Sequence, residues 1–208
     1  MTAATLLKKY SEYLLENGKR PVTVFAFAKQ LKIEEAIFYK HFSSFGHLEA
    51  AFFSHWFEAT LKACNKVKEY NSYTSQEKLL TFYFGFFEQL TANRSLVLLI
   101  LKDSGGINKL NQLRKLRGKL IEFFSTLEFP SPDLPMKEIN KYKDKAVAEG
   151  AWAQFLFILK YWLNDESPSF EKTDILIEKS VDTGFSLMAS SPLEKVLDLG
   201  KFLVKDRF

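Results

Sequence analysis

Apolar residues recur at spacings of three and four through nearly the whole chain, and glycine, asparagine and proline interrupt this pattern at intervals. Such spacing puts apolar side chains on one side of an α-helix, whereas no segment keeps the alternation of a strand. The first predicted helix, about 2–16, ends at Asn17-Gly18, and Pro21 prevents its continuation. The pattern predicts about nine or ten helices, and therefore an all-α fold.

Two short helices and one long helix follow the first. Thr23 is suited to cap a short second helix, and a third helix is predicted at about 34–41. Ser43 can begin a long fourth helix that reaches about Tyr70. Two short helices joined by a tight turn and followed by a long helix form a helix-turn-helix, whose second short helix can enter the major groove of DNA.

The rest of the chain has its own caps and breaks. Thr74 and Glu77 form a capping-box pattern ahead of a phenylalanine-rich segment, and prolines at 130, 132 and 135 make the clearest break. A fifth helix is predicted to begin at the Thr74 capping box and to include the run 79–90. Further helices are predicted at about 95–102, 108–127, 143–163 and 170–189 and from 191 onward. We therefore expect a three-helix helix-turn-helix domain at 1–48 and a larger helical domain at 49–208.

The excess of positive charge lies near the N-terminus. The chain has a net charge of +4, and its first 48 residues hold seven basic and four acidic side chains. A single cysteine, Cys64, fits a reducing compartment and is best explained as a packed thiol. The most apolar segment, 146–163, is too short for a membrane span and contains Glu149 and Lys160. With no apolar run typical of a signal peptide at the N-terminus, we expect a cytoplasmic protein without a membrane segment.

The segment at residues 23–42, TVFAFAKQLKIEEAIFYKHF, resembles the helix-turn-helix of the TetR family of bacterial transcription regulators. Its most specific parts are the pair Phe27-Ala28, Ile33 at the start of the third helix, and the run from Phe38 to Phe42. Leu48 also fits, as the chain enters the fourth helix. The resemblance covers about the first 50 residues, and an all-helical second domain agrees with it.

The resemblance implies a homodimeric repressor that binds double-stranded operator DNA and whose second domain senses a small apolar effector. Phosphate contacts would come from side chains that can donate a hydrogen bond near one helix end, and base contacts from the third helix. The implied phosphate-contacting residues are Thr23, Tyr39, Lys40 and His41, and the implied base-contacting residues are Glu34, Glu35, Ala36 and Ile37.

Several residues depart from the family pattern and support a second hypothesis. Lys32 replaces a glycine often found in the turn, Phe45 replaces a lysine, and Phe25 stands where charged residues are common. Glu34-Glu35 adds negative charge at the DNA-facing end. Fewer cationic contacts release fewer counterions and weaken binding. The alternative is therefore a TetR-like ligand-binding or interaction protein that no longer reads a specific DNA sequence.

Aromatic residues of the second domain form a candidate ligand pocket. The resemblance favours a cavity there for a small apolar effector, while a filled core explains the same residues equally well. The pocket candidates come from two predicted helices and are Phe82, Tyr83, Phe86, Phe87, Leu90, Trp152, Phe155 and Leu159.

Two late helices offer a candidate dimer interface. Ile177, Val181, Gly184 and Met188 recur at spacings of four, three and four, and Gly150 and Ala153 mark a face of small residues on the preceding helix. These two helices are nearly all apolar and have more apolar surface than one subunit can bury, so we expect a homodimer. The alternative is that this row of residues, from Ile177 to Met188, packs inside one subunit.

No pattern of an enzyme is present. The chain lacks a glycine-rich phosphate loop, a nucleophile elbow and an evident carboxylate pair. His41, His47 and His55 do not have the spacing of metal ligands on one helical face. We therefore expect neither catalysis nor a metal or other cofactor.

Overall fold

The computed structural model describes residues 1–102, 107–129 and 137–189. Within these ranges the chain forms α-helices and no strand, which confirms the predicted all-α fold. The α-helices are α1 (Ala3–Asn17), α2 (Val24–Gln30), α3 (Glu35–Tyr39), α4 (Phe45–Cys64), α5 (Ser75–Ala92), α6 (Arg94–Lys102), α7 (Ile107–Ser125), α8 (Lys137–Leu163) and α9 (Glu171–Ala189). The helix predicted after residue 191 lies outside the described residues.

The predicted end of α4 near Tyr70 is wrong. The helix ends at Cys64, and a short 3-10 helix occupies Lys68–Ser72. Residues 65–69 are all exposed, so a continued helix would have had no apolar side to bury there. Tyr70 is buried from the 3-10 helix instead.

The first compact unit consists of Met1–Cys64 together with Gly85–Lys119. Within it α1 contacts α6, and α2 contacts α3. Helix α1 buries Leu6, Tyr10 and Leu14 on the stripe that the sequence predicts. Helices α1, α2 and α3 are called the head below. Their burial positions are set by the three- and four-residue spacing of large apolar side chains.

The second compact unit consists of Asn65–Phe84 and Leu120–Phe208, of which the described part ends at Ala189. Helices α8 and α9 contact each other in this unit. Trp162 and Phe155 on α8 and Ile177 and Val181 on α9 have no exposed surface. The division at residue 48 between a DNA-reading part and a sensing part stays a prediction.

A buried aspartate organises the start of α9. Asp165 Oδ1 accepts hydrogen bonds from the backbone and hydroxyl of Ser167, and Oδ2 accepts from the backbone (2.9 Å) and hydroxyl (2.6 Å) of Thr173. Burial would raise the pKa of Asp165, but these donors stabilise the carboxylate and lower its pKa to about 2. The aspartate therefore holds the turn before α9 in its charged form.

We expect Asp165→Ala to lower the free energy of unfolding at neutral pH by about 1 kcal/mol, as loss of a helix cap does. Because folding lowers the pKa from 3.8 to about 2, the stabilisation is complete above the unfolded value and is lost as the pH falls toward 2. Urea denaturation across this pH range measures the difference between variant and wild type. Asp174→Ala removes an equal charge from the first turn of α9 as a control. A difference that does not shrink in acid contradicts the assignment.

Candidate nucleic-acid interface

An aromatic cluster holds the head together. Phe27 of α2 meets Tyr10 of α1 edge to face, with ring centres 5.8 Å apart, and meets Phe38 of α3 at 6.4 Å. Phe45, at the start of α4, stacks on Tyr10 at 5.3 Å and contacts Phe38 at 5.5 Å. Phe42 also packs on Phe38. These contacts fix α3 against α1, α2 and α4 from its inner side.

Helix α2 begins as the sequence predicts. The hydroxyl of Thr23 accepts a hydrogen bond from the backbone N–H of Ala26 at 3.0 Å, so Thr23 caps the helix. Its side chain remains exposed. Val22 and Phe25 beside it are also exposed, Phe25 by 61%. The start of α2 thus presents an apolar surface where a charged one is common in the family pattern.

The turn between α2 and α3 contains a lysine in the left-handed region. Lys32 has φ of 55°, and the backbone N–H of Ile33 donates to Ala28 at 3.0 Å across the turn. This φ is the conformation for which the family often uses glycine, because a side chain makes it unfavourable. The turn keeps its shape despite the substitution.

Helix α3 turns one side inward and the other outward. Phe38 has no exposed surface, whereas Glu34, Ala36, Tyr39, Lys40 and His41 are exposed. Ile37 and Glu35 are partly exposed. The structure therefore brings all eight predicted DNA-contacting positions to one short segment and to the cap of α2, while their role in binding stays a prediction.

The polar groups at the end of α3 are oriented by local contacts. The Tyr39 hydroxyl donates to Glu35 Oε1 at 3.3 Å, and His41 Nε2 lies 3.1 Å from the backbone oxygen of Met1. Partial desolvation and the Glu35 carboxylate raise the pKa of Tyr39, so its hydroxyl stays protonated and can donate to an anion. Lys40 adds a positive charge next to it. This end of α3 can thus bind phosphate oxygens.

One functional candidate escaped the sequence analysis. Glu49 on α4 is completely buried, and its carboxylate accepts hydrogen bonds from Tyr10, Arg20 and Gln112. Its position four residues from both Phe45 and Phe53 places it on the inward face of the helix, which is the one sequence signal for its burial. The partners themselves come from distant parts of the chain.

The residues of the predicted ligand pocket are all buried. In the second unit Tyr83 lies near Phe155, with ring centres 6.3 Å apart, and Trp152 stacks on Phe155 at 5.5 Å. Phe82 and Leu159 belong to the same unit, and Phe86, Phe87 and Leu90 to the first. Burial agrees with a pocket and with a filled core alike, so the pocket stays a prediction. A cavity of about 730 Å³ in the second unit lies elsewhere, between Phe157 and Lys172.

The residues of the predicted dimer interface divide into two groups. Gly150 and Ala153 are exposed, and Gly184 and Met188 are partly exposed. Ile177 and Val181 have no exposed surface in the single chain, so they pack inside the subunit. The same two helices expose further large apolar side chains, namely Phe157, Tyr161, Ile175 and Leu187.

No cluster of three histidine, cysteine or acidic residues that could hold a metal ion occurs in the part of the chain that the structure describes. Among those residues, no helix is both long and apolar enough to cross a membrane.

Residues 78–203 match a family model described as a tetracyclin repressor-like C-terminal domain. The match includes more than half of the chain and lies beyond the segment that carries the helix-turn-helix pattern. The chain therefore belongs to the TetR family, as the resemblance of its first 50 residues implies. A comparison with curated proteins found no match.

We expect Lys32→Gly to raise the free energy of unfolding by about 0.5–1 kcal/mol, because glycine adopts the left-handed conformation without a steric penalty. Lys29→Gly in the last turn of α2 removes the same charge from helical backbone and is expected to lower it by a similar amount. Urea denaturation of both variants provides the measurement. A Lys32→Gly variant less stable than wild type contradicts strain in the turn.

Proposed function

We propose that this member of the TetR family is a cytoplasmic transcription regulator that represses by binding operator DNA as a homodimer. The observation that carries the proposal is the exposed end of α3, which the buried Phe38 holds from the inner side. Tyr39 is the last residue of this helix, and Lys40 and His41 follow it directly. A rigid support matters because contacts to DNA require donors fixed in register with the phosphates. No enzymatic activity is proposed.

The phosphate-binding part of the proposal rests on donors and charge. The ammonium of Lys40 can donate to phosphate oxygens directly, and the exposed hydroxyl of Thr23 is available at the start of α2. The hydroxyl of Tyr39 and the ring of His41 can donate to phosphate by exchanging their present acceptors, the Glu35 carboxylate and the Met1 carbonyl. Each cation that neutralises a phosphate releases a counterion and adds to the salt dependence of binding. These contacts would position the head on DNA without specifying sequence.

Sequence would be read from the outer side of α3. Glu34 precedes the first turn, is exposed, and makes no side-chain cap hydrogen bond, so its carboxylate is available to a base. Glu35 already accepts from Tyr39. A carboxylate accepts a hydrogen bond from cytosine N4 in the major groove. We therefore assign cytosine recognition to Glu34, while Ala36 and Ile37 suit a thymine methyl.

The second part of the proposal concerns the predicted second domain, residues 49–208, which is called the body below. Membership of the family supports a small apolar effector, and the buried residues Tyr83, Trp152 and Phe155 of the second unit would line its pocket. The exposed face of α8, with Gly150 and Ala153 beside Phe157, supports a second copy of the chain as the partner. An effector that binds one spacing of the two heads more tightly would change operator affinity by linkage.

The second candidate is a TetR-like binding protein without sequence-specific DNA recognition. The observation in its favour is the surface beside Thr23, where Phe25 and Val22 are exposed instead of charged residues. Glu34 and Glu35 also add negative charge near the approaching phosphates. Both features would lower the electrostatic part of binding.

The test is binding of the purified protein to its own upstream DNA and to random DNA over a salt series. We expect Tyr39→Phe combined with Lys40→Ala to weaken specific binding about tenfold or more, because each lost bond to a charged phosphate contributes about 1.5 kcal/mol or more. Tyr39→Phe keeps the ring contact with Phe38. The salt slope should fall as well, by about 1 per lost cation.

Lys66→Ala, which removes an exposed charge from the second unit outside α8 and α9, is the matched control and should leave binding unchanged. Binding that is weak, indifferent to sequence and insensitive to the double variant would favour the second candidate. Light scattering that shows only a monomer at micromolar concentration would contradict the homodimer.

Base reading is tested by selection from a library of randomised duplexes. Wild type is expected to select cytosine at one position of each half-site, and Glu34→Gln to select adenine there, since an amide pairs with adenine N6 and N7. The change of preference corresponds to about 1–3 kcal/mol per base pair. Glu35→Gln serves as the control and should keep the cytosine. Equal base preferences for wild type and Glu34→Gln would overturn the assignment.

A further inference from the structure

A buried carboxylate joins the head to the helix α7. Glu49 Oε1 accepts from the hydroxyl of Tyr10 at 2.5 Å and from Arg20 Nε at 2.6 Å, and Arg20 Nη2 pairs with Oε2. Gln112 Nε2 of α7 donates to Oε2 at 2.6 Å. Glu49 has no exposed surface, and Gln112 is buried too. All of these residues belong to the first compact unit.

The donors around Glu49 have different tasks. Arg20 supplies the opposite charge, and the Tyr10 hydroxyl stays protonated because burial and the Glu49 charge raise its pKa. These two residues belong to the head and to the turn that follows α1, and the Arg20 guanidinium alone compensates the charge of the carboxylate. Gln112 is neutral and adds no charge compensation. Its hydrogen bond contributes a direct link from α7 to the carboxylate that holds Tyr10 and Arg20.

Two exposed contacts also join α7 to α4, the helix that contains Glu49. Lys115 Nζ lies 2.5 Å from His47 Nε2, and Lys119 Nζ lies 2.7 Å from Glu58 Oε1. Burial and the Lys115 ammonium lower the pKa of His47, and Nδ1 of its neutral ring accepts from the backbone N–H of Ser43. Gln112, Lys115 and Lys119 are spaced by three and four, so they lie on one face of α7.

The buried hydrogen bond between Gln112 and Glu49 tolerates a smaller displacement of α7 than the exposed contacts do. Long exposed lysine side chains can follow a small shift of α7, whereas a hydrogen bond of 2.6 Å is lost when its atoms separate by about 1 Å more. A buried amide and carboxylate that lose each other have no water to replace the bond. The position of α7 along α4 is therefore fixed where Gln112 meets Glu49.

We infer that Gln112 is the positioning residue that couples the state of α7 to the orientation of the DNA-reading head. The inference rests on the proposed function, because it concerns how that DNA binding is regulated. The position of α7 determines whether Gln112 can bond to Glu49. Because Tyr10 and Arg20 bond to the same carboxylate, a change in its position alters the positions of α1 and of the turn before α2. By reciprocity, DNA bound to the head stabilises α7 through the same bond.

The experiment needs no effector, because the operator DNA selected by the wild-type protein is the probe. Amide hydrogen exchange is measured over residues 112–119 of α7 and over α3, with and without this DNA. In wild type we expect exchange in both segments to slow on DNA binding, in α7 by about fivefold or more. In Gln112→Met, which keeps the shape and lacks the amide, α3 should still be protected and α7 should not respond.

Gln112→Ala provides a second variant, and thermal unfolding shows whether each variant folds. Lys119→Gln, which removes the exposed contact to Glu58 on the same two helices, is the control and should keep the response of α7. The inference is overturned, while DNA binding stands, if exchange in α7 does not slow on DNA binding in wild type. It is also overturned if exchange in α7 slows as much in both Gln112 variants as in wild type. A wild-type protein that binds no DNA contradicts the proposed function itself and removes the inference with it.

Discussion

The packing of Phe38 is the interaction on which the candidate interface depends. Helix α3 has five residues, and a helix of that length does not form by itself in water. It exists because Phe38 is buried among Phe27, Phe42 and Phe45. Edge-to-face contacts of this kind stabilise beyond the burial of apolar area. The orientation of every exposed side chain on α3 follows from this single inward residue.

The sequence predicts the fold well where packing is local. Periodicity and caps locate α1, α9 and the start of α2 to within one or two residues, because the information lies within each helix. It fails at the end of α4, where polar residues after Cys64 remove the apolar side that a longer helix would need. Lys32 shows that the turn can be inferred from a family pattern even when its usual glycine is missing.

The sequence predicts less of the site, because the decisive contacts are long-range. Phe45 looks like a departure from the family at the DNA surface, and the structure shows it stacked on Tyr10. Glu49 meets Gln112 across 63 residues of sequence, a pairing that no local pattern contains. For Ile177 and Val181, spacing alone does not tell whether an apolar seam faces its own subunit or a second one.

The buried carboxylate has a consequence for how such a protein can be recombined. A chimera that joined residues 1–48 to the body of a relative would leave Tyr10 and Arg20 without their common acceptor. If instead Glu49 were kept with the head and the rest of the body were exchanged, the carboxylate would lose its bond to the Gln112 amide on α7. Heads and bodies of this chain are therefore interchangeable only when Glu49 and its three donors are transferred as a set, which limits domain shuffling as a route to new specificities.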